Sequence, residues 1–128
     1  MTATGQTFVH YAGTSRVLRI PLVYADGENF DEAVTAADWI CAPSPDAAEA
    51  AFFIRKSLGS GVSISAGPGR RFVQVSLRPA DTLFREGGLQ LGNHYHEARI
   101  SWGDGDQALL LTGTMQLRKR IGARATDT

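Results

Sequence analysis

The chain of 128 residues has the size of one domain, and its thirteen basic and thirteen acidic side chains cancel at neutral pH. Hydrophobic residues make up 43% and charged residues 20%, which is typical of a globular domain with an interior core. This charge balance argues against a strongly basic nucleic-acid-binding protein, and the lack of a long apolar run argues against a membrane span.

The N-terminal residues contain no basic region followed by an apolar core, so no secretory signal peptide is predicted. The single cysteine, Cys41, cannot form an internal disulfide bond. It lies in the apolar run at residues 39–42, which predicts a small buried side chain. We therefore expect synthesis in a cytoplasm.

Alternation of apolar and polar residues with a period of two predicts short strands along most of the chain. The strands are expected over residues 17–22, 38–42, 51–56, 62–65, 72–77, 93–102 and 108–117. Pro21 removes a hydrogen-bond donor and indicates an edge strand, and Gly113 indicates a bend in the last strand. The three central runs are separated by glycine turns, which is typical of a meander joined by hairpins.

Two stretches interrupt the strand pattern. Residues 46–51 are rich in alanine and predict one helical turn with Asp46 as its N-cap. Residues 79–86 begin with proline and are followed by two glycines, which is the usual asymmetry of a short helix. We therefore predict an all-β antiparallel β-sandwich with one short helix near residues 79–86. A single domain is expected over residues 1–122, with a flexible C-terminal tail over residues 123–128.

A series of short motifs follows in a fixed order along most of the chain. They are Tyr24-Ala25-Asp26-Gly27 with Phe30-Asp31, the strands at residues 38–42 and 52–57, Val62-Ser63-Ile64, residues 72–77, Arg78-Pro79-Ala80-Asp81-Thr82-Leu83, residues 91–100 and residues 111–117. Their order and spacing resemble the immunoglobulin-like β-sandwich domain at the N-terminus of phage baseplate upper proteins, and related small tail proteins. His94 and His96 depart from that pattern, since the family commonly has apolar or aromatic residues there.

The resemblance implies a non-enzymatic virion structural protein of a phage tail or baseplate, made in the host cytoplasm. Because no fibre-forming extension follows the sandwich, the pattern favours an adaptor or connector that works through protein–protein contacts. The implied partners are other tail or baseplate proteins and further copies of the chain, as a trimer or hexamer. No cofactor is implied, and neither a membrane nor nucleic acid is expected as a partner.

Charged residues are unevenly distributed along the chain. Residues 1–50 carry two basic and seven acidic side chains, and residues 51–128 carry eleven basic and six acidic ones. We predict two interface clusters of opposite charge, a basic one at Arg118, Lys119, Arg120 and Arg124 and an acidic one at Asp26, Glu28, Asp31 and Glu32. The other interpretation is that both clusters are only solvated surface.

Two of the three histidines lie in the predicted strand at residues 93–102. Alternation places His94 and His96 on its inner face, in a row completed by Ala98, Ile100 and Trp102. Glu97 points to the opposite face, and two histidines alone do not complete a zinc site. We therefore predict no metal or catalytic residue, and expect His96 to be hydrogen-bonded at the edge of the core.

Two other functions remain open from the sequence alone. One is a carbohydrate-binding sandwich module, with an exposed aromatic residue such as Tyr95 or Trp39 as the sugar platform. The other is a small metal-dependent enzyme of the double-sheet barrel type built on His94 and His96. It would need two further metal ligands from other strands.

Overall fold

The structure of the protein is a computed structural model that describes residues 5–23, 28, 30, 32–66, 71–82 and 90–119. The strands in these ranges are β1 (Phe8–Tyr11), β2 (Arg16–Leu22), β3 (Val34–Ala42), β4 (Ile54–Leu58), β5 (Gly61–Ala66), β6 (Arg71–Leu77), β7 (Gly92–Trp102) and β8 (Asp106–Arg118). Two short 3-10 helices cover Glu49–Ala51 and Pro79–Thr82. Within the described ranges, no helix is both long and apolar enough to cross a bilayer.

The eight strands join in one mixed sheet in the order β1-β8-β7-β3-β4-β5-β6-β2. The sheet is nearly closed into a barrel, with β1 and β2 as its two edge strands. The all-β prediction is confirmed, and so is the edge position of the strand that contains Pro21. Because the hydrogen bonds connect all eight strands in a single sheet, the immunoglobulin-like sandwich stays a prediction.

Two pairs of strands run parallel, although the prediction was antiparallel throughout. β1 pairs with the last strand, β8, and β4 pairs with β5. The chain between β4 and β5 makes a tight local turn, in which Gly59 and Gly61 have φ angles of 85° and 94°. Glycine adopts this left-handed backbone at little cost. The predicted hairpin between β4 and β5 is therefore wrong, whereas β5 and β6 do pair antiparallel.

Other local predictions are partly correct. β3 begins at Val34, earlier than predicted, and β1 was not predicted at all. The turn at residues 46–51 is a 3-10 helix over its last three residues, and its N-cap is Ala48 without a side-chain bond, so the Asp46 cap is wrong. The short helix near 79–86 is a 3-10 helix where it is described; residues 83–89 and the tail at 123–128 lie outside the described residues.

The inner face of the sheet forms the core, and β7 contributes the row that its alternation predicts. His94, His96, Ala98 and Ile100 are buried. The largest fully buried side chains from other segments include Trp39, Phe30, Leu22, Leu77, Met115 and Leu117. Cys41 is also fully buried, which confirms its prediction, and burial raises the pKa of its thiol to about 12.

One end of the barrel, the hairpin end, is where β7 turns into β8 at residues 103–105. Val34, at the start of β3, pairs with Trp102, at the end of β7. The Phe30 ring packs edge-on against the Trp102 ring with 5.1 Å between centroids, and the Phe30 amide donates to the Leu22 carbonyl at 3.2 Å. Phe30 and the neighbouring described residues between β2 and β3 therefore lie at the hairpin end.

The opposite end, the helix end, is where β1, β6 and β8 stop and β2 begins. The 3-10 helix Pro79–Thr82 attaches here, because the Gly13 amide donates to the Thr82 hydroxyl at 3.0 Å. Lys56 points to the same helix and forms an ion pair with Asp81, with 2.8 Å between Nζ and Oδ2. These contacts join the β1–β2 turn, β4 and the helix.

Candidate functional site

The two predicted charged clusters lie at opposite ends of the barrel. Arg118 and Lys119 are exposed where β8 stops, at the helix end. Glu28 and Glu32 are exposed between β2 and β3, at the hairpin end. β7 spans 11 residues, so the two ends are about 33 Å apart along a strand that rises ~3.3 Å per residue. The other predicted members, Asp26, Asp31, Arg120 and Arg124, lie outside the described residues.

Further charged side chains follow the same separation. Exposed side chains near the ends are Asp104 and Asp106 at the hairpin end and Arg16 and Arg78 at the helix end. Arg71 is a cation at the hairpin end, where its Nη1 donates to the backbone oxygen of Glu32 at 2.7 Å. Arg71 at the hairpin end and Asp81 at the helix end are exceptions, but the described charges still give the hairpin end a net negative charge and the helix end a net positive one. The sequence could not show this separation because it does not order the strands.

His96 is held in one neutral form at the edge of the core. The Trp39 indole Nε1–H donates to Nδ1 of His96 at 3.2 Å, so Nδ1 carries no proton. Nε2 then carries the proton and donates to the backbone oxygen of Gln6 at 2.7 Å. The Phe8 ring meets the imidazole edge-on at 5.0 Å. Burial lowers the pKa of His96, and the bond to Gln6 opposes this. The prediction of a hydrogen-bonded histidine is confirmed.

Gly113 creates the space in which Gln6 reaches His96. Gly113 pairs with His96 across the β7–β8 ladder. A Cβ atom at Gly113 would lie 2.5 Å from the carbonyl carbon and 2.7 Å from the amide nitrogen of Gln6, and closer still to its carbonyl oxygen. The Gln6 amide also donates to the Thr112 carbonyl at 3.0 Å. Gly113 therefore serves close backbone approach. The pairing register is regular at Gly113 and shifts between Ala98 and Arg99, and the predicted bend at Gly113 stays a prediction.

The second histidine of β7 is also bonded to protein groups. His94 Nε2 is 2.5 Å from the backbone oxygen of Gln90, and its ring packs edge-on against Phe53 at 5.2 Å. In the part of the chain that the structure describes, no three His, Cys, Asp or Glu side chains are grouped so that they could hold a metal ion. The two extra ligands that a metal enzyme on His94 and His96 would need are thus not found among those residues.

The third histidine, His10 of β1, is buried near the helix end. Burial lowers the pKa of its ring, a hydrogen bond to the Thr14 backbone raises it, Arg16 lowers it and Asp81 raises it. Nε2 of His10 is buried without a hydrogen-bond partner. The sequence did not place this residue, because β1 was not predicted.

The aromatic residues considered as a sugar platform are not arranged as one. Trp39 is fully buried and its indole N–H is engaged by His96, so Trp39 does not have the exposure that the carbohydrate-binding alternative requires. Tyr95 is half-buried on the outer face, and its hydroxyl donates to Glu97 at 3.0 Å. Burial and the Glu97 carboxylate raise the pKa of Tyr95 to about 12.

The sheet remains open between its two edge strands, where a space of about 240 Å³ lies. This seam cleft is lined by residues 6–8, by residues 16–20 of β2, and by His96 and Leu111. Near the helix end, Arg16 bridges the seam, since its Nη1 donates to the Val9 carbonyl at 3.0 Å. The sequence signal for the cleft is a pair of arginines on a strand that Pro21 marks as an edge.

A second depression of about 220 Å³ lies on the outer face. It is lined by Ala36, Asp38, Glu49, Arg55, Arg99, Ser101 and Gln107. Arg55 is 3.1 Å from Glu49, and Arg99 is 3.6 Å from Glu97 and 4.0 Å from Asp38. The cations of this outer depression are therefore already matched by carboxylates of the same chain.

Comparison with known proteins gives no family for this chain. No protein-family model matches it, and no curated protein matches it. Its function is therefore proposed from the placement of its own residues.

Proposed function

We propose that this chain is a virion structural protein of a phage tail or baseplate, and that it acts as a non-enzymatic adaptor or connector. The observation that carries the proposal is the separation of acidic and basic side chains to opposite ends of the barrel. The ordered motifs, which resemble the immunoglobulin-like domain of baseplate upper proteins, support the proposal independently. On the same motifs we propose that the fold is related to that immunoglobulin-like β-sandwich.

Opposite charges at two ends favour contacts between different surfaces of neighbouring copies. When the helix end of one copy meets the hairpin end of the next, Arg118 and Lys119 lie opposite Glu32. Such a heterologous contact produces a ring if its rotation closes and a filament if it does not. The trimer or hexamer that we propose is the closed form. Complementary fields speed the encounter and fix its orientation, rather than supplying most of the affinity.

The contact is tested by the mass of the purified protein in solution. Sedimentation velocity is measured at low and at high salt, because salt screens exposed charges over about a Debye length. We expect oligomers at low salt that dissociate as salt rises. Removing two basic charges, with Arg118→Gln and Lys119→Gln, should abolish them. The matched control is Arg55→Gln with Arg99→Gln, which removes two positive charges from the outer depression and should leave association unchanged.

Charge reversal provides a sharper form of the same test. Arg118→Glu with Lys119→Glu should prevent self-association, and so should Asp104→Lys with Asp106→Lys. Mixing the two variants should restore association with strict alternation. The first variant has two acidic ends and the second has two basic ends, so each variant repels its own copies and attracts the other at both ends. A mixture that associates while each variant alone stays monomeric supports the end-to-end contact. Association that ignores both reversals contradicts it.

The location is tested separately. Phage particles from a strain that carries the gene are purified and analysed by mass spectrometry. The proposal predicts that peptides of this chain co-purify with the particles in a fixed ratio to known tail proteins. Particles that contain all tail proteins but no such peptides would refute a virion role, whatever the oligomeric state in solution.

A further inference from the structure

The N-terminal segment, residues 5–11, lies at one edge of the sheet. Its strand, β1, has four residues and a single neighbour in the sheet, β8. Further bonds come from the Gln6 amide to the Thr112 carbonyl and from Arg16 across the seam to the Val9 carbonyl. Short edge strands open more readily than the strands in the middle of a sheet, because fewer contacts must break. The segment is therefore the part of the described sheet that we expect to detach first.

His96 of β7 lies beneath this segment and resists a second proton while the segment is docked. Its Nε2–H donates to the Gln6 carbonyl oxygen at 2.7 Å, so Nδ1 is the nitrogen that would take the proton. Nδ1 faces the Trp39 indole N–H at 3.2 Å, and a proton there would set two N–H groups against each other. The charged residues that line the cleft beside His96 are Arg16 and Arg19, which are both cations and provide no countercharge.

His10 lies within the segment itself and resists a proton for a related reason. Its side chain is only 2% exposed, and its Nε2 has no hydrogen-bond partner among the residues that the structure describes. The bond to the Thr14 backbone raises the pKa of the ring, which identifies Nδ1 as the donor and the Thr14 carbonyl as the acceptor. Nε2 is therefore the unprotonated nitrogen, and a proton added to it would be buried without an acceptor.

The charges around His10 do not offset that cost. Arg16 of β2 opposes a positive ring, and Asp81 of the 3-10 helix favours one. Asp81 already pairs with Lys56 of β4, with 2.8 Å between Nζ and Oδ2, so much of its charge is neutralised. The register partner of His10 on β8 is Leu117, which carries no charge. Protonation of His10 is therefore unfavourable as long as the segment stays in place.

Detachment of the N-terminal segment would remove both obstacles together. His10 leaves with β1, and water then solvates either ring nitrogen. His96 loses the Gln6 carbonyl and the Phe8 ring, which packs edge-on against it at 5.0 Å, so its imidazole is free to turn away from Trp39. The open state therefore binds protons more tightly than the docked state, and acid shifts the equilibrium towards opening.

We propose that acid releases the N-terminal segment: protonation of His10 and His96 detaches residues 5–11 while the rest of the sheet stays folded. Burial lowers the pKa of both rings from 6.5, so docking is strongest above about pH 6.5 and weakens as the pH falls. Release leaves one side of β8 without a strand, and such an edge presents backbone groups that pair with other strands. The inference does not depend on the proposed virion role, because both histidines act within one chain.

Native-state hydrogen exchange of the full chain, followed by NMR at about pH 7.5 and about pH 5.0, tests the release. Protection factors are corrected for the intrinsic exchange rate at each pH. Each histidine can change the opening equilibrium by at most about 30-fold over this range, because the exposed ring of the open state has a pKa of 6.5. We expect the protection of β1 amides to fall about tenfold or more.

The same measurement in low urea distinguishes local release from global unfolding. Local opening exposes little surface, so the exchange of β1 amides at about pH 5.0 should hardly depend on urea. Amides of β3, in the middle of the sheet, should be about tenfold or more better protected and should show the full urea dependence. A common protection factor and urea slope for β1 and β3, or an unchanged protection of β1 between the two pH values, would overturn the proposal.

Two non-titrating replacements assign the effect to the histidines. His10→Asn keeps a donor for Thr14, and His96→Gln keeps a donor for Gln6. In the double variant, the protection of β1 should change less than about threefold between the two pH values. His94→Gln is the matched control, because His94 also lies in β7 but its Nε2 is bonded to the backbone oxygen of Gln90, and the control should keep the wild-type change.

Each variant is compared only with itself at the two pH values, so a loss of overall stability does not enter the comparison. A double variant that keeps the tenfold change, or a His94→Gln control that loses it, would refute the assignment to His10 and His96. The wild-type comparison of β1 with β3 tests the release without any variant.

Discussion

Replacing Gly113 by alanine should release the N-terminal segment from the barrel. The added Cβ would overlap the backbone of Gln6, and backbone atoms cannot move aside as a flexible side chain can. The bonds from Gln6 to Thr112 and from His96 to Gln6 would both be lost. At about 1 kcal/mol for each bond, together with the lost packing of Phe8 on His96, the free energy of unfolding should fall by about 2–4 kcal/mol.

Urea denaturation followed by tryptophan fluorescence measures this loss, since Trp39 lies at the site. Deleting residues 1–7 should cost a similar amount in the wild-type chain, but less than about 0.5 kcal/mol in the Gly113→Ala background, because both changes remove the same contacts. Thr114→Ala, one residue along β8, is the control and should add to the deletion independently. If Gly113→Ala were nearly neutral, or if its effect added fully to that of the deletion, the proposed close packing would be refuted.

Three further outcomes follow from buried groups. Burial lowers the pKa of His96 and of His10 below 6.5, so in acid the unfolded chain binds more protons than the folded one. The free energy of unfolding should therefore be highest above about pH 6.5 and fall as pH decreases. His96→Gln should reduce the slope of this fall, and an unchanged slope would contradict the role of His96. Asp81→Ala removes the partly buried ion pair with Lys56 and should lower the free energy of unfolding, measured by urea denaturation, by about 1–2 kcal/mol. An unchanged free energy of unfolding would contradict a stabilising role for this pair. Cys41, with its thiol pKa raised to about 12, should resist a disulfide reagent at about pH 8 until the chain is unfolded in guanidinium; rapid labelling of native protein would contradict its burial.

The strands were largely predictable because their signal is local. The alternation in β7 identified a buried row that includes His96, and Pro21 correctly indicated an edge strand. What alternation cannot show is which strands become neighbours. Trp39 lies in an apolar run that fits either exposure at a platform or burial in a core, and only its bond to His96, 57 residues away in sequence, distinguishes them.

The seam escaped prediction for the same reason. β1 has only four residues, too few for a clear period, and it is held by tertiary contacts rather than by its own propensity. Gly113 looked like a bend because glycine weakens a strand, yet its role depends on Gln6, which is distant in sequence. The opposite charges of the two ends also became visible only once the direction of each strand was known.

The pairing of β1 with β8 has a consequence for the order in which the chain folds. β1 is translated before β8, the strand with which it pairs, and the contact of the N-terminal segment with His96 requires Gly113 of β8. Contacts so distant in sequence are slow to form, because a long loop must close first. β1 therefore lacks its neighbouring strand until β8 has been translated, and any chain that is terminated before β8 leaves β1 without that neighbour.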